Sequence, residues 1–328
     1  MTEAQVTDIQ TAEMEGSRKQ RWRDFSARYA IWISVGVLIV AAQILSGGVF
    51  LDAQNIVNIL AQNSVAGVLA TGQTLVILTA GIDLSLGSIA ALSSTTILLL
   101  QGQGPNIALP VGIAVALGAG LLNGLLVTKG RIPPFIATLG MMQAALGLTY
   151  VISNAYPVYE ETHWFLFMGV DDIGPLPLHV VVWGLVTVIT WVILRRTRYG
   201  MYIYATGGNE RAARVSGIPT NRAKLFVYTF AGLCAGVAAI LLVNRLGMTQ
   251  PNIGNSLTLG AIAPVVVGGT SLFGGSGGVW NTLAGVLIVG ILVNLMVLMG
   301  INVYIQQVVQ GIMILAVVFL FIRQQRRA

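Results

Sequence analysis

The sequence predicts an all-α integral membrane protein with about ten transmembrane helices, broken or re-entrant segments, and both termini in the cytoplasm. Of its 328 residues, 55% are apolar and 9% are charged, whereas soluble domains carry about 25% charged residues. Apolar stretches of about 20 residues, the length that spans a bilayer, recur from Tyr29 almost to the C-terminus. All but one of the basic residues, finally, fall on one side of the predicted membrane. These three observations predict that most of this chain is embedded in a lipid bilayer.

Interruptions by Gly, Pro and charged residues divide the apolar sequence into ten predicted spans. They run approximately over residues 30–50, 56–79, 86–103, 107–128, 134–154, 178–195, 224–244, 256–270, 279–299 and 302–322. With the N-terminus inside, every one of the 18 Lys and Arg residues except Arg245 falls on the inner face. Cationic loops stay in the cytoplasm, so this distribution supports an even number of spans. It also accounts for the net charge of +6 without a nucleic-acid partner.

The span boundaries predict three regions. Residues 1–29 form a cytoplasmic tail, residues 30–322 form the transmembrane domain with a basic inner loop at 195–223, and residues 323–328 form a second cytoplasmic tail. The apolar run after Arg28 is longer than the 7 to 15 residues of a signal-peptide core, so the first span is expected to be retained. An acidic and aromatic outer loop at about 155–177 includes Tyr156, Tyr159 and Trp164.

Two glycine-rich interruptions occur at related places in the two halves of the chain, at residues 81–88 and 269–276. Their sequences agree at half of their positions, namely Gly81 with Gly269, Leu84 with Leu272, Gly87 with Gly275 and Ser88 with Ser276. Broken helices expose backbone polar groups to a cavity, and paired interruptions of this kind are typical of a transporter's substrate path. The pattern therefore predicts the region of a solute pathway.

Asp83 places one carboxylate among apolar spans, where an ionisable group is costly unless it is paired, hydrated or functional. The sequence Asp83-Leu84-Ser85 also fits a helix N-terminus, at which side-chain oxygens cap free backbone N–H groups. Capping is favoured over direct contact with a ligand, although both roles are compatible.

Neutral amides and hydroxyls in the spans suit a polyhydroxy solute as a group, although each alone more often bonds one helix to another. The predicted pathway residues are Asp83, Ser85, Ser88, Asn63, Gln73, Thr138, Ser271 and Ser276.

The inner loop contains the signals of one short helix. Asn209 is a credible N-cap, Glu210 favours the first turn, and Gly217 with Pro219 ends the helix. A short helix between two spans on the cytoplasmic face is a surface that a soluble motor subunit could grip; the alternative is a basic loop that lies on anionic headgroups. The residues of this predicted coupling segment are Gly208, Asn209, Glu210, Arg211, Ala212, Ala213, Arg214, Ser216 and Gly217.

Common nucleotide-binding and metal-binding signatures are missing from the sequence. It contains no phosphate-binding Gly-x-x-x-x-Gly-Lys-Ser/Thr loop and no His-Glu-x-x-His. Its single cysteine, Cys234, and two histidines offer no metal-ligand spacing. The chain is therefore predicted to be neither an enzyme nor a metalloprotein and to hold no cofactor, so that an ATPase, if one drives transport, is a separate chain. A secondary transporter that uses Asp83 for ion coupling is the second hypothesis.

Two motifs together carry a resemblance to a known family: Gly-Ile-Asp-Leu-Ser-Leu-Gly-Ser at 81–88 and Gly-Gly-Asn-Glu-Arg-Ala-Ala-Arg-Val-Ser-Gly-Ile at 207–218. With Pro133-Pro134-Phe135-Ile136-Ala137-Thr138-Leu139-Gly140, they resemble the ribose, xylose, arabinose and galactose permease family of bacterial ABC importers. The similarity runs from about residue 56 to 320.

The resemblance implies a permease subunit, in the bacterial cytoplasmic (inner) membrane, that imports a monosaccharide or a related small solute. It also implies three protein partners: a second permease copy or paralogue, a periplasmic or lipid-anchored sugar-binding protein, and a cytoplasmic ATPase that binds the ATP. By the same resemblance, residues 207–218 match the family's coupling loop, which transmits ATP-driven closure to the spans.

Overall fold

A computed structural model describes residues 29–162 and 177–325, most of which are helical. The helices are α1 (Tyr29–Leu45), α2 (Ala53–Leu78), α3 (Leu86–Leu99), α4 (Pro105–Thr128), α5 (Pro134–Ile152), α6 (Leu178–Arg196), α7 (Arg198–Gly208), α8 (Glu210–Val215), α9 (Thr220–Leu246), α10 (Ile253–Val267), α11 (Val279–Leu298) and α12 (Val303–Gln325). Two short strands, β1 (Val158–Tyr159) and β2 (Met248–Thr249), pair antiparallel. Outside the described residues lie the predicted tail up to residue 28, Trp164 of the outer loop, and residues 326–328.

Each of the ten predicted spans coincides with one helix, with ends that differ by a few residues. Within the described ranges, α4, α5, α6, α9 and α11 are long and apolar enough to cross a membrane. The all-α membrane class is thereby confirmed, and the count of ten spans stays a prediction. Helices α3 and α10 contain 14 and 15 residues, or roughly 21 to 23 Å of helix at 1.5 Å per residue, because each adjoins a glycine-rich interruption.

Small residues bring α4 and α9 into close contact at the centre of the fold. A Cβ on Gly120 would lie 2.7 Å from the Cα of Gly232, and a Cβ on Gly236 would lie 3.2 Å from the Cβ of Ala116. Glycine and alanine at four-residue spacing allow two helix backbones to approach in this way, which is a common packing mode in membranes. The close crossing places Asn123 of α4 and Tyr228 of α9 beside the first glycine-rich interruption.

Segments predicted to lie on one side of the membrane contact each other. On the predicted outer side, β1 pairs with β2, the backbone N–H of Glu160 donates to the Gly247 carbonyl over 2.8 Å, and the Gln101 amide donates to the Tyr159 carbonyl over 3.0 Å. On the predicted inner side, the end of α2, the second interruption and the end of α7 meet. The outer segments thus contact one another, and the inner segments contact one another.

The inner loop differs from the prediction of one short helix. The loop contains two helices, α7 and α8: residues 198–208 form a helix that starts directly after Thr197 and precedes the predicted one. Thr197, the N-cap residue of α7, makes no side-chain hydrogen bond to the first turn, and the glycines at 200, 207 and 208 are typical of a loop. Tertiary contacts override this low propensity: the backbone of Gly200 packs against Leu194 and that of Gly207 against Leu78.

Candidate solute pathway and coupling region

The first interruption, residues 81–88, begins with a mostly buried turn organised by Asp83. Asp83 Oδ1 accepts hydrogen bonds from the Ser85 backbone N–H at 2.8 Å and from the Ser85 hydroxyl at 2.5 Å. Both residues are fully buried. An aspartate that bonds the backbone two residues ahead forms a local turn and satisfies a free N–H at the start of a helix. Asp83 therefore sets the point at which α3 begins.

Side chains from four other helices hold this turn in place. Gln73 of α2, with its amide oriented to satisfy both partners, donates to the Asp83 carbonyl and accepts from the Asp83 N–H, each at 3.2 Å. Asn123 of α4 donates to the Ser85 hydroxyl at 2.8 Å and to Asp83 Oδ2 at 3.4 Å.

Hydroxyls of α5 and α10 also reach carbonyls of the turn. The Thr138 hydroxyl lies 3.2 Å from the Ile82 oxygen and the Thr258 hydroxyl 3.3 Å from the Leu84 oxygen. Each hydroxyl shares its one proton with a nearer carbonyl of its own helix, at 2.9 and 3.0 Å, so these contacts supplement the other bonds of the turn.

The structure brings together five of the eight predicted pathway residues. Gln73, Asp83, Ser85 and Thr138 belong to the hydrogen-bonded turn, and Ser88 is buried in the first turn of α3. Asn63 lies elsewhere, half-buried on α2, where its amide donates to the Ile59 carbonyl at 2.7 Å. The remaining two, Ser271 and Ser276, pair with each other in the second interruption through a backbone bond of 3.0 Å.

The geometry of Asp83 predicts that its capping bonds matter more than its charge. Asp83→Asn preserves an acceptor for the Ser85 N–H, so we expect the variant to fold and to transport within a few-fold of wild type. Asp83→Ala removes the acceptor, and we expect a loss of about 1 to 2 kcal/mol of stability, the usual cost of losing a cap. Thermal unfolding in detergent and vesicle uptake measure the two effects. Loss of transport in a well-folded Asp83→Asn variant would contradict this and assign the carboxylate a role in the pathway.

The second interruption contacts the first through the C-terminal end of α7. The Gly275 N–H donates to the Leu78 carbonyl over 3.0 Å. A Cβ on Gly274, whose φ is +83°, would lie 2.7 Å from the Ala80 nitrogen and 2.9 Å from the Gly207 Cα. The backbone of Gly207 thus lies between the two interruptions, at distances that leave no room for a side chain. Both predicted pathway breaks are therefore joined at the inner loop.

The predicted coupling segment contains a capped helix, α8, that begins at Glu210, three residues beyond Gly207. Asn209 Oδ1 accepts from the Ala212 N–H at 2.9 Å, which confirms the predicted N-cap, and Gly217 leaves α8 with a φ of +80°. Ala213 is the buried residue of α8, whereas most of its neighbours, including Arg211, Ala212 and Ser216, are exposed. The predicted segment therefore exposes nearly all of α8, including the apolar side chain of Val215.

Glu210 ties α8 to α9. Its carboxylate accepts from Lys224 Nζ at 2.7 Å and from an Arg214 guanidinium nitrogen at 3.0 Å. Partial burial raises the pKa of Glu210, but the hydrogen bonds and charges of Lys224 and Arg214 outweigh it and hold the pKa of this carboxyl below its ordinary value of 4.5. The tie is consequently intact at any physiological pH.

Comparison with known proteins identifies the family. Residues 55–318 match the family described as the branched-chain amino acid transport system permease component. The chain belongs to this permease family. The matched residues include both interruptions and the coupling segment, so the whole site described above lies in the part of the permease that matches the family.

Several relatives align over nearly the full length of this permease. It is 43% identical to the ribose import permease protein of Escherichia coli strain K12, over 89% of this chain and 93% of the relative. It is 42% identical to the ribose import permease protein of Bacillus subtilis strain 168, over 88% and 91%. A D-allose transport system permease protein of Escherichia coli strain K12 is 38% identical over 90% and 92%. No solved structure matches the chain.

Three residues of the site were not among the predicted pathway positions. Asn123, Thr258 and Tyr228 all lie against the first interruption, Tyr228 with its hydroxyl beside Gly81. Asn123 carried a usable signal, as an amide inside an apolar span. The other two carried none, because a threonine and a tyrosine are ordinary in membrane helices. Among the residues that the structure describes, no group of three His, Cys, Asp or Glu side chains could hold a metal ion.

Proposed function

We propose that this permease is the membrane subunit of an ATP-driven importer for a monosaccharide or a closely related small polar solute. The observation that carries the proposal is the 43% identity to a ribose import permease over about nine-tenths of both chains. Other relatives carry the names of D-allose and fructose permeases. Since the relatives differ in sugar but not in solute class, the proposal names the class and not one sugar.

The proposed topology has ten spans with both termini inside, in the bacterial cytoplasmic membrane. It is supported by the placement of basic residues and by the contacts on each side, because the outer segments around β1 and β2 and the inner segments around Gly207 form separate clusters. The short helices α3 and α10 would then cross the bilayer together with their adjoining breaks. The first break is mostly buried in protein, whereas Gly269, Phe273 and Ser276 of the second are exposed, as in a segment that lines a cavity.

In the proposed pathway, the two interruptions form part of the wall along which the solute moves. Asp83, Ser85, Gln73 and Thr138 hold the first wall segment in shape, and Ser271 and Ser276 belong to the second. Ser88 and Asn63 are the further polar positions along the helices. Because the predicted coupling segment adjoins both breaks through Gly207, a displacement of α7 would move both walls at once.

Three partner proteins complete the proposed importer. A cytoplasmic ATPase binds the ATP and grips residues 208–217, a periplasmic or lipid-anchored binding protein delivers the solute to the outer face, and a second permease copy or paralogue completes the pathway. Unpaired apolar surface supports the last point: α5 exposes large side chains along its length, among them Phe135, Ile136, Leu148 and Val151. Lipid covers the rest of this surface.

An ion-coupled transporter that uses Asp83 is not favoured. Asp83 is fully buried, and both of its carboxylate oxygens accept hydrogen bonds from neighbouring side chains. A coupling site would need this group to exchange an ion with water on each side in turn.

Uptake into membrane vesicles tests the proposal. The vesicles contain the permease, its ATPase and internal ATP, and a binding protein delivers a panel of labelled pentoses and hexoses. We expect uptake of one sugar that disappears when the ATPase, the ATP or the binding protein is omitted. Uptake by the permease alone under an ion gradient would overturn the proposal and favour the ion-coupled alternative.

A further inference from the structure

A basic groove runs along the inner face beside α8, between the turn that joins α4 to α5 and the start of α9. Its volume is about 570 Å³, within the range of about 300 to 1,000 Å³ typical of ligand pockets. Its lining includes Thr128 and six side chains that are charged or carry an amide, namely Lys129, Arg131, Glu210, Arg214, Asn221 and Lys224. None of them was a predicted pathway residue, and the groove contains positions from two segments far apart in sequence.

The groove carries an excess of positive charge that the permease does not neutralise. Arg214 and Lys224 share the carboxylate of Glu210. The side chains of Lys129 and Arg131 are exposed, and neither makes a hydrogen bond or an ion pair within residues 29–162 and 177–325. Four cations therefore face one carboxylate, and concave basic surfaces of this kind attract and orient acidic partners.

The turn that presents Arg131 is held in an uncommon conformation. Arg131 has a φ of +54°, a region that residues other than glycine seldom occupy. Two backbone bonds of 3.1 Å maintain the turn, from the Gly130 N–H to the Leu125 carbonyl and from the Ile132 N–H to the Leu126 carbonyl. The backbone at the groove is thus built by the end of α4 and does not depend on a partner.

We propose that this groove receives an acidic segment of the ATPase, so that the α4–α5 turn is a second docking element beside the coupling segment. The inference rests on the proposed function and specifies the chemistry of its inner partner. An ATPase that grips α8 reaches the groove directly, because Glu210 and Arg214 belong to both surfaces.

The chemistry of the groove favours a protein segment over a lipid headgroup. Glu210 and the Asn221 side chain place hydrogen-bond acceptors among the cations. A peptide supplies backbone and side-chain donors for these acceptors together with carboxylates for the cations. A headgroup phosphodiester supplies no donor to these acceptors and brings one negative charge to a groove whose four cations come from two segments.

The test is the affinity of the ATPase for the full permease in nanodiscs of neutral phosphatidylcholine. In the double variant Lys129→Glu, Arg131→Glu, we expect the Kd for the ATPase to rise about tenfold or more at low ionic strength, with a weaker salt dependence than wild type. The milder variant Lys129→Gln, Arg131→Gln, which adds no negative charge, should shift the Kd in the same direction by less. Monodisperse elution from a sizing column verifies that each variant is folded.

A matched control separates the groove from general electrostatic attraction. Arg222 is an exposed cation of α9 that does not line the groove, so Arg222→Glu, combined with Arg198→Glu, imposes the same change in net charge. We expect these substitutions to alter the Kd by less than threefold. Replacing the exposed acidic residues of the ATPase by lysine, one at a time, should identify at least one that restores binding to the Lys129→Glu, Arg131→Glu variant.

Three results would overturn the inference: an unchanged Kd in the groove variant, an equal loss in the control variant, or a loss that appears only when anionic lipid is present, which would assign the groove to headgroups. Vesicle uptake distinguishes this failure from that of the proposed function. If uptake requires the ATPase while the groove variant binds it normally, only the docking inference is lost. If wild-type permease binds no ATPase, both fail.

Discussion

Replacing Gly207 by alanine is expected to reduce transport to background and to lower the yield of folded permease. The added Cβ would overlap the Leu78 carbonyl oxygen and lie 2.6 Å from the Gly275 nitrogen, the two atoms that join the pathway breaks by a hydrogen bond. Both neighbours are backbone atoms and cannot rotate away. We expect a destabilisation of about 3 kcal/mol or more, at the upper end of the cost of overpacking. Thermal unfolding and vesicle uptake measure the effect.

The adjacent glycine provides a matched control for this prediction. A Cβ on Gly208 would meet no atom within 4 Å, so Gly208→Ala adds the same methyl group one residue along the chain. It is expected to unfold within a few degrees of wild type, which makes it the control for stability; its uptake is not the control, because Gly208 belongs to the predicted coupling segment. Wild-type stability and uptake in Gly207→Ala would show that the two interruptions and α7 are not packed as described. Equal damage from both variants would indicate that helix end propensity, not the three-way contact, is responsible.

Reversing the charge of Glu210 is expected to uncouple ATP hydrolysis from transport without unfolding the permease. Glu210→Lys removes the bonds to Lys224 and Arg214 and places three cations together, so α8 loses its tie to α9. The residue is on a partly exposed helix outside the spans, and we expect a change of less than about 1 kcal/mol in stability, as for most surface ion pairs. Uptake should fall at least tenfold, and the solute should no longer stimulate the ATPase. The matching variant Arg214→Glu is expected to uncouple as well.

A charge swap tests whether the tie itself is responsible. Glu210→Lys combined with Lys224→Glu rebuilds a pair at the same positions and is expected to recover part of the lost uptake.

The pKa of Glu210 is lowered, so its pairing is present above its ordinary pKa of 4.5 and is lost only as the pH falls below that value. Coupling in wild type should therefore not change between pH 5.5 and 8 through this group. Normal uptake by both Glu210→Lys and Arg214→Glu would count against a coupling role for this segment.

Local features were predictable where the physics is short-range. The positions of the helices followed from apolar runs of bilayer length, and the cap of α8 followed from Asn209 and Gly217. The turn of Asp83 and Ser85 was also predictable, because its donor and acceptor are two residues apart. The helix α7 was not, since three glycines suggest a loop until the packing of Gly200 and Gly207 against other backbone is known.

The sequence by itself determined that this is an all-α membrane protein, approximately where the helices of its ten predicted spans lie, and which two glycine-rich segments interrupt them; which loop faces the cytoplasm stays a prediction. These properties depend on composition and on neighbours within a few residues. Only the tertiary structure decided that Asn123, Thr138 and Thr258 hold the first break, that Gly207 lies between both breaks, and that Arg131 and Lys224 share a groove. Such contacts join residues many tens of positions apart, and they exist only because particular helices pack closely enough for their backbones to touch.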